Sequence, residues 1–584
     1  MNDVGRGGRH TERGLPMLDE DRLEGCASLD AWETGVSAAP SASALKTVAS
    51  VAPALILAAC GEGGGGTTAS SPAAVTVTAQ AVSQTQASRF LGQTTMGATK
   101  TMVADVVAQG YDGWITAQFG TARTTTHWDW LIANGYNAAT NINSQTGFDQ
   151  TMWRGMISDP DQLRQRVAMA LLDFVVVGID GVNLNWRAFA AAAYVDVLLD
   201  NAFTNYRQIM DAVTYNAAMS SFLTYLNNRK ANTTTGAQPD ENYARELMQL
   251  FTLGLYQLNI DGSVKMSGSS PLETYGPADV SGLARVFTGL TLASTDTTTP
   301  AVYRSQLVVN ASINETGSAT FLGTTVSGGG TAAIKSALDA IFAHSNLPPF
   351  VSKQLIQRLV TSNPSAAYIS RVATVFTDNG KGVRGDMQSV IRAILLDTEA
   401  RSDTALTAQA SGKLREPVMR LTGWARAYGA TSPSAAWAIG DTSSTTTRLG
   451  QSMGRSQTVF SWFRPGYSPP DTSISSAGLV APEFQITNEQ TVVAYINYMQ
   501  ALVQNGTGDV KADYTDILTS ATDSGTLVDQ VNLILAAGQL SAATVASIKA
   551  AVDSISASTT AGQQNRVYAA ILLTLASPDY LTVK

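Results

Sequence analysis

Apolar residues recur every three or four positions from about residue 83 to the end of the chain, and this spacing limits the fold more than any other feature. The stretch ASRFLGQTTMGATKTMVADVVAQGYDGWITAQF predicts two short helices. DPDQLRQRVAMALLDFVVVG predicts a nearly all-apolar helix that starts after Asp159 and Pro160. Asp173 and Asp196 interrupt apolar runs that are already too short to cross a bilayer. In a chain of 584 residues, the pattern predicts a large, mainly α multi-helix body.

The helical spacing is interrupted between about residues 256 and 333. LYQLNIDGSVKM switches to alternation around Asp261 and Gly262, which predicts a type I′ β-hairpin. Residues 293–333 are rich in Thr, Ser and Gly with alternating apolar residues. We therefore expect a helical domain over residues 83–584 that carries a small β-rich insertion at about 256–333.

The charge of the chain argues against nucleic acid as a partner. The net charge is −8, and no block of Lys or Arg appears anywhere. Binding of phosphates needs clustered cations, so nucleic-acid binding is excluded. Charged residues make up 14% of the chain, against roughly 25% in typical soluble proteins, a profile common among exported bacterial proteins.

Cys60 ends a short apolar run in the stretch LKTVASVAPALILAACGEGGGG. The ending Leu57-Ala58-Ala59-Cys60-Gly61 resembles the lipobox of bacterial lipoproteins, in which the cysteine thiol is diacylglycerated. Several acyl chains together give the stable attachment that one chain would not. We therefore predict that Cys60 is lipidated and that a lipid anchor holds the protein to a membrane.

The lipobox divides the N-terminal part of the chain. Residues 1–59 are interpreted as a signal region, although the acidic residues 1–45 are unlike a signal start and Val36 is a candidate initiation site. Residues 60–82 hold Cys60 and a flexible Gly/Ser/Thr tether. Gly61 after the cysteine favours the outer membrane, so we expect an exported outer-membrane lipoprotein of the cell envelope.

The stretch QPDENYARELMQLFTLG, residues 238–254, places four charges in a helix that otherwise has a core face. Glu241 and Arg245 are spaced as a pair across one turn, as are Asn242 and Glu246. Asn242 and Glu246 lie beside the core face and would need partners if buried. The plausible partners, all in neighbouring motifs, are Arg229, Arg285 and Asp279. The motif is either a structural ionic network or part of a functional cleft.

The stretch SWFRPGYSPP, residues 461–470, is the strongest candidate for a binding surface. Trp462, Arg464 and Tyr467 lie among prolines that stiffen the segment. If exposed, such a loop could stack on sugar rings or hold an acidic partner. If buried, it would be a lid with Arg464 paired to a carboxylate.

No metal or cofactor site is predicted. After Cys60 the sequence contains only two histidines, His127 and His344, and neither has a companion at ligand spacing. Both histidines lie far along the chain from any G-x-S-x-G elbow, so the sequence does not favour a Ser-His-Asp arrangement.

Seven stretches in consistent order resemble a known bacterial family over roughly residues 85–583. They are DQLRQRVAMAL, NNRKANTTTGAQPDENYARELMQLFTLGLYQLNIDG, YGPADVSGLARVFTGL, LPPFVSKQLIQRLVTSNPS, DNGKGVRGDMQSVIRAILLD, GKLREPVMRL and FRPGYSPP…GLVAPEFQITNE. The family is DUF1800, whose function is unknown. The resemblance implies an exported, mostly helical protein, often encoded beside a DUF1501 protein whose fold is similar to alkaline phosphatases. It carries over no catalytic residue, and Phe251 stands where some members have a histidine.

Two functions are open from the sequence. One is a scaffold or accessory factor that works on a surface or extracellular polymer, such as a polysaccharide, with a DUF1501-like partner. The other is a hydrolase or lyase acting on an envelope or extracellular glycan through Glu241, Glu246 and Asp279. An open pocket around Glu246 favours the enzyme, whereas burial with an arginine on each carboxylate contradicts it.

Overall fold

Helices dominate the computed structural model, which describes residues 81–584. The predicted signal region and Cys60 therefore lie outside the described residues. Within residues 81–584 the chain forms 23 α-helices. The first nine are α1 (Gln84–Thr94), α2 (Lys100–Gly120), α3 (His127–Ala133), α4 (Phe148–Ser158), α5 (Gln162–Leu172), α6 (Arg187–Asn201), α7 (Tyr206–Thr214), α8 (Ala217–Phe222) and α9 (Asn242–Glu246).

The rest of the chain, from residue 277 onward, contains the other fourteen helices. They are α10 (Pro277–Val286), α11 (Gly330–Ala343), α12 (Leu347–Leu359), α13 (Ala366–Thr377), α14 (Met387–Leu396), α15 (Thr398–Arg401), α16 (Pro417–Ala427), α17 (Ser473–Ser476), α18 (Glu489–Asn505), α19 (Thr515–Leu518), α20 (Ser524–Ala536), α21 (Ala542–Asp553), α22 (Thr560–Ala576) and α23 (Pro578–Leu581). None of the helices in the described part is both long and apolar enough to cross a membrane.

The strands are short and pair only two at a time in the described residues. Antiparallel pairs form between β1 and β2, β3 and β4, β5 and β6, and β7 and β8. The strands are β1 (Met266–Ser267), β2 (Ser270–Pro271), β3 (Leu290–Thr291), β4 (Val308–Val309), β5 (Ala319–Phe321), β6 (Thr324–Val326), β7 (Lys413–Leu414) and β8 (Thr582–Val583). The predicted fold class, mainly α with small β elements, is confirmed.

The hairpin around Asp261 forms, but its predicted turn type is wrong. Leu258 bridges to Val264, and the Gly262 amide donates to the Asn259 carbonyl at 2.9 Å. Gly262 has φ +77°, whereas Asp261 is not in the left-handed region. A type I′ turn needs positive φ at both central residues, so the chain makes a three-residue loop that ends in a left-handed glycine.

Helix α6 is packed on several sides because its side chains are small. It contacts α3, α5, α7 and α8. The four alanines at residues 190–193 are at most 6% exposed. Alanine takes little space, so neighbouring helices can come close without leaving voids.

Asp196 of α6 caps a different helix. Its carboxylate accepts from the backbone N–H groups of His127 and Trp128, each at 2.9 Å, in the first turn of α3. Arg123 adds an ion pair to the same carboxylate at 2.7 Å. The buried aspartate that interrupts the apolar run therefore ties α3 to α6 and satisfies donors that a helix start leaves unpaired.

The segment after α5 packs directly on the segment before the aromatic residues 460–463. The Ile179 amide donates to the Gly454 carbonyl at 2.8 Å. A Cβ on Gly178 would lie 1.9 Å from the Ser456 carbonyl oxygen, so only glycine allows this approach. The contact brings the C-terminal end of α5 beside the loop in which Trp462 and Arg464 lie.

Candidate functional site

The charged helix α9 has one exposed pair and one buried carboxylate. Arg245 Nη2 lies 3.0 Å from Glu241 Oε2, and both side chains are exposed to solvent. The Ser281 hydroxyl donates to the other Glu241 oxygen. Asn242 is half-buried, and its side-chain amide lies 3.5 Å from the Thr224 hydroxyl. The predicted Glu241–Arg245 pair is therefore present as a surface contact.

Glu246 is 8% exposed, and its Oε2 has no hydrogen-bond partner in the described residues. Burial raises the pKa of Glu246 to about 7, and the positive charge of Arg245 opposes this rise only in part. The chain continues from α9 into a π-helical turn, Leu247–Thr252. Such turns often mark functional segments of helices.

The partners expected for Glu246 make other contacts. Asp279 accepts from the amides of Gly276 at 2.8 Å and Leu322 at 2.7 Å, so it caps α10 and holds the β5–β6 turn. Arg285 lies 3.3 Å from Glu315. Arg229 is exposed. Glu246 is thus buried, as a structural brace requires, but no arginine in the described residues pairs with it.

A second, larger group of charges meets where the fold joins α5, α12, β7 and the start of α16. Six side chains, each at most 5% exposed, balance three positive with three negative charges. We call this set the buried charge cluster; it consists of Arg166, Asp173, Arg358, Lys413, Glu416 and Glu483.

Lys413 contacts three other members of the buried charge cluster. Its Nζ lies 2.9 Å from Glu483 Oε1 and 3.5 Å from Glu416 Oε1. It also donates to the Arg358 carbonyl at 2.8 Å. Arg166 donates to that same carbonyl at 2.5 Å. Cations and carboxylates buried together in this way are costly to separate, because each would be left uncompensated in a medium of low polarity.

Asp173 caps the C-terminal end of α5 and carries the most unusual carboxylate of the cluster. Arg358 Nη2 donates to its backbone carbonyl at 3.2 Å, and the Ser461 hydroxyl donates to its Oδ1 at 3.1 Å. Its Oδ2 has no hydrogen-bond partner in the described chain. Burial and then the negative charge of Glu416 raise the pKa of Asp173 to about 7, against the pull of Arg358 and Lys413. A buried carboxyl group with a raised pKa beside a cavity indicates a functional site.

The segment of residues 457–467, here called the aromatic loop, lies over the cluster. Trp462 is half-buried, and its Nε1 donates to the Ser452 carbonyl at 3.2 Å. The Arg464 guanidinium lies 4.6 Å from the centre of the Phe460 ring. Tyr467 closes a turn by donating its amide to the Arg464 carbonyl at 3.1 Å. The loop is neither a fully exposed surface nor a buried lid with Arg464 on a carboxylate.

Two cavities flank the aromatic loop. The smaller, here called the loop cavity, has a volume of about 300 Å³. It is lined by Thr458, Phe460, Ser461, Trp462, Arg464 and Gln485 among others. The larger, here called the cleft, has a volume of about 460 Å³. It is formed by α12, the hairpin around Gly262, and Pro465 and Gly466 of the loop.

The floor of the cleft connects to the buried charge cluster through α12. Gln354 lines the cleft, and its Oε1 accepts from Arg358 Nη1 at 2.5 Å. Gln357 also lines it and donates to the Ser362 carbonyl at 2.9 Å. One face of α12 therefore supports the cluster while the neighbouring face presents amide groups to the cleft.

The two histidines in the described residues, His127 and His344, make structural hydrogen bonds. His127 is buried with Nδ1 2.9 Å from the Thr151 hydroxyl, and burial lowers the pKa of His127 to about 3. His344 Nδ1 accepts from the Asn346 amide at 3.1 Å. No group of three or more metal-ligating side chains comes together within residues 81–584.

Sequence reasoning placed Trp462, Arg464 and Tyr467 in the loop but missed the charges beneath them. The sequence pattern indicates Asp173 only as an interruption of an apolar run. A signal was present, because Arg166, Arg358 and Glu483 each lie in a different stretch that carries the family resemblance. Lys413 and Glu416 lie in a fourth such stretch, GKLREPVMRL. Their convergence makes the cluster and the aromatic loop the candidate functional site.

Comparison with known proteins supports the resemblance. The family model described as Protein of unknown function (DUF1800) matches residues 89–582. Neither a curated protein nor a solved structure matches the chain.

Proposed function

The chain belongs to the DUF1800 family, and from that premise we propose that it is a lipid-anchored envelope protein that holds a surface or extracellular polymer in the cleft, as a scaffold or accessory factor. Its partner in that process is a DUF1501-like protein. The observation that carries the proposal is the cleft itself, an open cavity of about 460 Å³ beside the aromatic loop.

The lining of the cleft suits a neutral or acidic polymer with hydroxyl groups, such as a polysaccharide. Gln354 and Gln357 line it, and beyond their contacts with Arg358 and Ser362 the Gln354 amide retains Nε2 as a donor and the Gln357 amide retains Oε1 as an acceptor. No Asp or Glu in the described residues lines it, and Lys353 is its one charged residue there. Tyr256 and Phe350 add aromatic surface of the kind that packs against sugar rings.

The anchor supports a position at the outer membrane. The lipobox-like ending at Cys60 and the Gly-rich tether that follows would hold the helical body near a membrane surface. The tether would then let the cleft reach a polymer or a partner protein in the envelope.

Photocrosslinking in the producing cells tests the proposal. p-Benzoylphenylalanine replaces Met266, which lines the cleft and is 44% exposed, in the full-length chain. The control carries the same group at Val493 of α18, which is 60% exposed and does not line the cleft. We expect Met266 to capture carbohydrate or the DUF1501-like protein, and Val493 to capture neither. Equal capture at both positions, or none at Met266, contradicts the proposal.

One observation favours the second function, a carboxylate-dependent hydrolase or lyase acting on a glycan. Burial raises the pKa of Glu246 to about 7, close to the value suited to general acid catalysis near neutral pH. Glu241 and Asp279, however, are engaged with Arg245 and with backbone amides. Release of reducing ends from envelope glycan by the wild type but not by Glu246→Gln would establish this function.

A further inference from the structure

Ser461 has the surroundings of a nucleophile. It lines the loop cavity and is partly exposed, so a ligand in that cavity can reach its hydroxyl. Its backbone has φ +58°, a left-handed conformation that is strained for a residue with a Cβ. Strained residues of this kind persist where the surrounding structure fixes them and are common at active sites.

A base lies within hydrogen-bonding reach of Ser461. Its Oγ is 3.1 Å from Asp173 Oδ1. Asp173 is 2% exposed and belongs to the buried charge cluster, so its carboxylate is shielded from bulk water. A hydroxyl nucleophile is weak until an adjacent base removes its proton, and this pair supplies that base directly.

Donors for a developing negative charge follow Ser461 in the chain. The backbone N–H groups of Trp462 and Phe463 donate no hydrogen bond to any residue in the described part of the molecule. Both residues line the same cavity as Ser461. Unpaired backbone donors next to a nucleophile are the means by which proteins stabilise an oxyanion.

We propose that Ser461 and Asp173 form a nucleophile–base pair that hydrolyses an acyl ester bound in the loop cavity. This activity goes beyond the proposed function, because it requires neither the cleft nor the lipid anchor. The cavity volume of about 300 Å³ fits a small acyl group and part of its alcohol, and the walls of Phe460 and Trp462 favour apolar or ring-shaped groups.

The reaction has two balanced steps. Ser461 Oγ bonds to the carbonyl carbon while Asp173 takes the hydroxyl proton, and collapse of the intermediate breaks the ester bond and returns that proton to the departing alcohol. Water then attacks the acyl-serine and gives a proton to Asp173. The carboxylic acid leaves as Ser461 Oγ recovers the proton. One ester and one water become one acid and one alcohol.

A fluorophosphonate–biotin probe tests the pair in the full-length protein, because it reacts covalently only with activated hydroxyls. We expect one adduct, located on Ser461 by peptide mass spectrometry, and measurable hydrolysis of p-nitrophenyl acetate. Ser461→Ala abolishes both signals, and Asp173→Asn slows labelling by about 100-fold or more. Ser468→Ala is the matched control: its hydroxyl donates to the Leu479 carbonyl at 2.8 Å, and it labels at the wild-type rate.

The labelling rate also reports on the base. Because only ionised Asp173 accepts a proton, the rate rises with pH through about 7 in the wild type. The charges that face Asp173 and shape this profile are Arg166, Arg358, Lys413 and Glu416. Asp173→Asn removes the rise.

Three outcomes overturn the proposal. They are an adduct on another residue, no adduct on the folded wild type, and unchanged labelling in Asp173→Asn. If Ser461→Ala does not fold, Ser461→Cys replaces it, because a thiol keeps a donor for Asp173 but is not labelled by the probe. Persistent labelling of Ser461→Cys at the wild-type rate would also refute the assignment.

Discussion

Replacing Glu246 with Gln should make the protein more stable at pH 8 and leave its stability nearly unchanged near pH 4. Burial raises the pKa of this carboxyl from 4.5 to about 7 in the folded chain. The folded protein therefore holds a proton between these values that the unfolded chain has lost. The stability that this proton contributes is complete below pH 4.5 and is lost as the pH rises through 7.

The size of the effect follows from the shift. One pKa unit corresponds to 1.36 kcal/mol, so the difference between 4.5 and about 7 corresponds to about 3 kcal/mol. Glutamine has the same shape and does not ionise. The variant should therefore gain about 3 kcal/mol over the wild type between pH 4 and pH 8.

Urea unfolding followed by tryptophan fluorescence measures this difference. The matched control is Glu241→Gln on the same helix, whose exposed pair with Arg245 contributes no more than about 0.5 kcal/mol at either pH. The free energy of unfolding of Glu246→Gln is compared with that of the wild type from pH 4 to pH 8. If the difference stays constant over this range, ionisation of Glu246 does not destabilise the folded protein and the prediction is wrong.

Four further predictions follow from the contacts. Lys413→Met lowers the free energy of unfolding in urea by about 3–5 kcal/mol, because it leaves buried carboxylates uncompensated. The control is Lys549→Met, which removes an exposed pair with Asp553 and changes the free energy of unfolding by less than about 0.5 kcal/mol. Gly178→Ala lowers it by about 1–3 kcal/mol, since the new Cβ would meet the Ser456 carbonyl. Asp279→Ala lowers it by about 1–2 kcal/mol in the same assay, and Asp279→Asn lowers it by less, because its one amide oxygen keeps one of the two hydrogen bonds that the carboxylate accepts. Cys60→Ser moves the protein from the membrane pellet to the soluble fraction; retention in the pellet would contradict lipidation.

The fold class could be predicted because the relevant information is local. Helical spacing along the chain and the alternation around Asp261 and Gly262 predicted a mainly α body with small β elements. The predicted turn type was wrong because Asp-Gly fits two kinds of hairpin loop. The choice between these loops depends on the packing around Gly262.

The candidate site could be predicted only in part, because it joins distant parts of the chain. Asp173 and Ser461 are 288 positions apart. No local pattern indicates that their side chains meet. The sequence also placed Glu246 beside a core face but could not show that its expected partners Arg285 and Asp279 bond elsewhere. Such contacts follow from tertiary packing, which overrides local spacing.

The central claim is that ligands bind beside the aromatic loop, where α12 and the loop form the cleft. Hydrogen–deuterium exchange of the full-length protein, with and without surface polysaccharide purified from the producing cells, tests it most directly. The claim predicts slower exchange in residues 350–363 and 457–480 and no change in α18. Unchanged exchange in both segments, or protection confined to α18, would contradict it.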